Sequence, residues 1–140
     1  MLLMAFSPKM MAEESSNQVE MVVYRSPTCG CCGKWTEHVQ ENQFKIKSVI
    51  TDDMQAIKAK YGVPDKLASC HTAIVDGYVV EGHVPADDIK KLLQIKPNVA
   101  GIAAPGMPLG SPGMEMGGQK QVYRVISFDK QGGNQVFAEH

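Results

Sequence analysis

The chain of 140 residues has no surplus of either charge, since fourteen Lys and Arg face fifteen Asp and Glu. Nothing in that balance calls for nucleic acid or an anionic membrane surface as a partner. After the first few residues no segment approaches the ~18 apolar residues of a membrane span. Four cysteines are too few for a fold stapled by disulfides. A second C-x-x-C, which a paired zinc knuckle would use, is absent, and so is any internal repeat. What remains is ordinary globular composition, 44% hydrophobic and 21% charged, and a length suited to one domain with a proper core. A monomer is expected.

Residues 1–18 open with the apolar "MLLMAF" and turn polar and acidic. This stretch reads as a signal-peptide remnant or a disordered tail; it lacks a basic start and is short for a full signal. From Val19 the pattern becomes regular. "VEMVVYR" is a buried strand, and a helix runs from Cys31 or Cys32 to about Gln43, with Trp35 and Val39 on one face. "FKIKSVIT" alternates as a half-exposed strand. A second helix is capped by Asp52 or Asp53 and stopped by Gly62 and Pro64. "TAIVDGYVVEG" is a hairpin around Asp76-Gly77. "PADDIKKLLQIK" begins a helix near Pro85, with acids early and lysines late. The order β-α-β-α-β-β-α over residues 19–96 is an α/β, thioredoxin-like order. Residues 97–140 form a Gly/Pro/Met-rich C-terminal extension. Its part 98–119 has no period and is expected to be one long loop; it ends in a β-hairpin.

The chemistry starts at "SPTCGCCGKW". Cys29 and Cys32 form a C-x-x-C pair at a helix start, where free N–H groups and the helix dipole favour thiolate. Alone, that is a dithiol oxidoreductase. Cys31 complicates it: a third thiol could scramble the disulfide, or could join a soft multidentate site of the kind that takes Cu(I), Zn or an iron–sulfur cluster. A small buried cysteine under the helix is the plain alternative. "ASCHTAIV" then places Cys70 and His71 just before the third strand, where a thioredoxin-like fold would face its dithiol with a cis-proline. His83, after Gly82 at the end of the hairpin, is positioned to reach the same groove as a ligand, as a proton carrier, or simply as a solvated loop histidine. His38 and His140 carry no functional signal. Met21 and Met54 lie on elements and read as core. Met107, Met114 and Met116 lie in "PGMPLGSPGMEMGG", where thioether is a soft donor for Cu(I) and where packing alone would favour Leu or Ile.

Together "SPTCGCCGKW", "ASCHTAIVDGYVVEGHVPADDIKKLL" and "PGMPLGSPGMEMG" resemble the CopG-like bacterial proteins, a group long filed as a domain of unknown function. The resemblance spans about residues 20–140. It implies a thioredoxin-like domain with an extension that helps bind metal, copper at the CxCC cysteines with sulfurs bridging more than one ion, and a periplasmic or otherwise extracytoplasmic role in copper resistance beside efflux components. It also implies interconversion of Cu(I) and Cu(II) as a candidate activity. The expected ligand set is Cys29, Cys31, Cys32 and Cys70, completed by His71, His83, Met107, Met114 and Met116. Two other functions stay open: a metal-free thiol–disulfide oxidoreductase using Cys29 and Cys32, and a passive copper chaperone.

Overall fold

The computed structural model describes residues 18–106, 108–115 and 120–140. The signal-remnant reading, Met107 and Met116 fall outside them. In chain order the elements are β1 (Val19–Arg25), α1 (Gly30–Glu41), β2 (Phe44–Ile50), α2 (Met54–Lys60), β3 (His71–Val75), β4 (Tyr78–Gly82), α3 (Ala86–Ile95), β5 (Gly101–Ala104), β6 (Arg124–Phe128) and β7 (Asn134–Glu139). The strands form one seven-stranded sheet ordered β2-β1-β3-β4-β5-β6-β7. Parallel pairing occurs at β1/β2 and β4/β5, the two junctions bridged by α1 and α3. Each hides behind a helical crossover, as parallel neighbours require. The other pairs are antiparallel.

Side-chain alternation splits the core between the two faces. On one face Met21, Val23, Ala73, Val75, Val80 and Ile102 pack with Trp35 and Val39 of α1 and Ile89 and Leu92 of α3. On the other, a smaller cluster joins Val79, Ala103 and Phe128 to Val63 and Leu67, which follow α2. Each large apolar side chain buried here contributes about 1.5–3 kcal/mol. The hairpin turns at Asp76 and Gly77, both with positive φ of 47° and 80°, the conformation of the type I′ turn expected from Asp-Gly. Asp53 caps α2 by accepting the Ala56 N–H at 3.1 Å.

Three local readings are corrected. Residues 98–119 are not all loop, because β5 pairs with both β4 and β6. β5 is "GIAA", buried at every position. It shows neither alternation nor branched side chains, the two signals by which strands are read. Met54 is half-buried at the start of α2 and belongs to neither core cluster. The lysines of α3 sit mid-helix; its last turn carries no base, and Lys96 ends it in the left-handed conformation. Because Ile102, Ala104 and Val125 belong to the main core, the strands of residues 97–140 are built into the same sheet as β1 to β4.

Candidate metal centre

Three chain segments meet at one end of the sheet. β1 ends at Arg25, and "SPT" leads into α1, whose N-cap is Cys29. No side chain caps that helix start, so its first N–H groups are left for the sulfurs beside them. Cys29 and Cys32 are joined by a disulfide, while Cys31 and Cys70 are free. Cys31 Sγ lies 3.8 Å from Cys29 Sγ. β3 begins opposite, since His71 pairs with Arg25 across the sheet, and this brings Cys70 under the helix end. The sulfurs of Cys29, Cys31, Cys32 and Cys70 all lie within 4.8 Å of one another. A disulfide sulfur is a poor donor, so the full set becomes available to a metal only after two-electron reduction of Cys29–Cys32.

The wall behind Cys70 is imidazole. Cys70, His71 and His83 form a second group whose ligand atoms lie within 4.8 Å of one another. Cys70 Sγ is 3.2 Å from His71 Nδ1 and 3.1 Å from His83 Nε2. The Pro112 carbonyl lies 2.6 Å from His83 Nδ1. A carbonyl only accepts, so Nδ1 carries the ring proton and Nε2 presents a lone pair to the thiol. Cys70 has one proton to give and gives it to His83; His71 Nδ1–H can then donate to the sulfur. His71 Nε2 is buried without a hydrogen-bond partner. His71 also stacks on Trp35, with ring centroids 4.3 Å apart, and the Trp35 indole donates to the Val84 carbonyl at 2.9 Å.

Burial, and then the neighbouring Cys31, pushes the Cys70 thiol up to about 12. Burial pulls His71 well below the ordinary histidine range, helped by His83 and Lys58. Burial also lowers His83, opposed by the Pro112 carbonyl and Glu115. At neutral pH this wall therefore holds a protonated thiol and two neutral imidazoles. His83 Nε2 offers a lone pair without a proton to displace, whereas Cys70 must lose one to ligate.

Residues 108–115 of the extension pack against the site. Ser111 is fully buried and its hydroxyl donates to the Pro108 carbonyl at 2.6 Å. Gly110 N–H reaches the Met114 carbonyl, and Met114 N–H the Ser111 carbonyl, each at 2.8 Å. Gly113, with φ of +90°, sits so close that a Cβ would come within 2.8 Å of His83 Nδ1 and 3.1 Å of the Cys31 carbonyl. Met114 is the half-buried residue next to it. Two histidines without a sequence signal are fastened in place. His38 Nε2 accepts the Ala86 N–H at 3.1 Å. His140 lies 2.6 Å from the Asp88 carboxylate and stacks on Tyr123. The Pro112 carbonyl was invisible to sequence reasoning, because it is a backbone atom placed by a loop.

The fold and these donors define a thioredoxin-like protein whose dithiol end faces a Cys-His wall rather than a cis-proline; no cis peptide bond occurs among the described residues. Two solved structures match it, described as copper resistance protein CopG, form 2 and form 1. Each is 44% identical, with TM-scores of 0.85 and 0.84, covering 89% of this chain and 99% and 98% of theirs. The chain belongs to the family of copper resistance protein CopG. Residues 67–114 also match the model of a family described as a protein of unknown function, DUF411. No curated protein sequence matches. Among the described residues no helix is long and apolar enough to cross a membrane.

Proposed function

We propose that this protein binds copper through clustered cysteine thiolates and serves copper resistance or homeostasis. The observation that carries the reading is the convergence of four cysteine sulfurs within 4.8 Å. Soft thiolate selects Cu(I), and a thiolate has lone pairs enough to bridge two ions. Four such sulfurs with two neutral imidazoles therefore suit several coppers per chain. That the matched structures are of a copper resistance protein supports copper as the cargo. His71, His83 and the loop methionines Met107, Met114 and Met116 complete the proposed set. Mixed sulfur and nitrogen ligation tolerates both oxidation states, so interconversion of Cu(I) and Cu(II) belongs to the proposal. So do an extracytoplasmic location and delivery to or from efflux components.

The test is anaerobic Cu(I) titration of the reduced chain with metal analysis, beside Cys31→Ser. More than one copper per wild-type chain and fewer in the variant are expected; equal loading of both would sink the bridging role of Cys31. The Cys29–Cys32 disulfide favours a second reading, a thiol–disulfide oxidoreductase. Insulin reduction by copper-free protein, abolished in Cys29→Ser and Cys32→Ser, would support it. Copper absorption spectra under oxidising and reducing conditions separate a redox role from passive carriage.

A further inference from the structure

On the sheet face opposite Trp35, a charged pair is buried beneath the Cys70 segment. Glu81 is fully buried in β4, directly across from Thr72. Its carboxylate pairs with the Lys58 ammonium of α2, whose side chain is only 15% exposed. The Thr72 hydroxyl donates to Glu81 Oε1 at 2.5 Å, and Lys58 Nζ also donates to the Thr72 hydroxyl at 3.0 Å. The remaining donor is the informative one: the backbone N–H of Ser69 reaches Glu81 Oε2 at 2.8 Å. Ser69 is the residue before Cys70. Its hydroxyl donates to the Gly106 carbonyl at 2.6 Å, at the start of the extension loop. Gly82 follows Glu81, and a Cβ there would come within 2.7 Å of both Ser69 Cβ and the Ala104 carbonyl.

A buried ion pair is a weak source of stability, because desolvation offsets most of the attraction. A well-packed apolar pair is often as good or better. What this pair supplies is direction. Charge-assisted hydrogen bonds are the stronger kind, and here one ends on the peptide that carries Cys70. We propose that Lys58 and Glu81 are positioning residues: they hold the Ser69–Cys70 peptide so that the Cys70 sulfur stays aimed at the CxCC end, and through Ser69 they tie that aim to the loop that covers the site.

The test uses the full chain and two readouts, and only the second rests on the copper reading. In reduced, metal-free protein, alkylation is followed at each cysteine by peptide mapping. Cys70 is expected to label several-fold faster in Glu81→Gln and Lys58→Met, at the wild-type rate in Lys58→Arg, with Cys31 unchanged. In Cu(I) competition with a chelator, Glu81→Gln and Lys58→Met should weaken the tightest site about 10- to 100-fold, the cost typical of losing a group that orients a ligand. In a Cys70→Ser background Glu81→Gln should add nothing further. Unchanged Cys70 labelling overturns the proposal, as does an equal affinity loss in the Cys70→Ser background. If Glu81→Gln fails to fold, Lys58→Met beside Lys58→Arg carries the same decision, and if Lys58→Met fails, Glu81→Gln does. A wild-type chain that binds no Cu(I) removes the proposed function, and the labelling arm still decides the positioning role.

Discussion

The two sides of the metal centre are built on opposite principles. The α1 side packs Cys29, Cys31 and Cys32 into four consecutive positions, two of them half-buried, and two of its sulfurs are joined in a disulfide that must be reduced before they can ligate. The β3/β4 side draws Cys70, His71 and His83 from two strand ends, and both imidazoles are fully buried. Each of its three residues is held by a neighbour: Pro112 on His83, Trp35 on His71, Glu81 on the peptide before Cys70. One side provides donors in number and in a labile state. The other provides donors whose protonation and direction are set before any metal arrives. A soft ion needs the first for capacity and the second for geometry.

The contrast breaks hardest at Trp35. Trp35→Ala removes the fully buried side chain that backs His71. It should cost about 3–5 kcal/mol in denaturant unfolding, and Cu(I) should be lost from the wall before it is lost from the thiols of α1. Equal loss from both sides would mean that they are not independently built. Gly113→Ala comes next. The new Cβ would meet His83 and the Cys31 carbonyl at a positive φ, so a destabilisation of roughly 1–3 kcal/mol is expected. Near-ultraviolet circular dichroism and copper competition should both register the displaced loop.

A pH series sharpens the comparison further. Cys70 stays protonated up to about pH 12, so Cu(I) binding there releases a proton throughout the neutral range. Affinity should rise with pH by about one decade per unit from this group alone, or about 1.4 kcal/mol. Cys70→Ser should remove that contribution from the slope measured between weakly acid and weakly alkaline buffers; an unchanged slope would show that Cys70 does not ligate. The smallest effect serves as the control. Asp53→Ala deletes the cap of α2 and should cost about 1 kcal/mol of stability, with copper loading as in wild type.

Much of the scaffold was legible along the chain. Val19–Ile95 shows its strands and helices through periodicity, and Asp76-Gly77 marks its hairpin, because each is a local pattern. β5 was not legible, since small residues buried on both faces leave no pattern. The three clustered cysteines announced themselves by adjacency, and "SCH" by its place before β3. Lys58 and Glu81 did not, because a lysine in a helix and a glutamate in a strand read as solvated groups until the fold buries them together.

The sequence by itself determined which donors this protein carries and that three of them share one helix start, because those are facts of composition and spacing. Tertiary structure alone decided their protonation, their direction and their enclosure. Those depend on a carbonyl from Pro112, a close approach at Gly113 and a buried pair at Lys58 and Glu81. The hydrogen-bonded partners lie 23 and 29 residues apart along the chain, and only the packed fold brings such distant groups together.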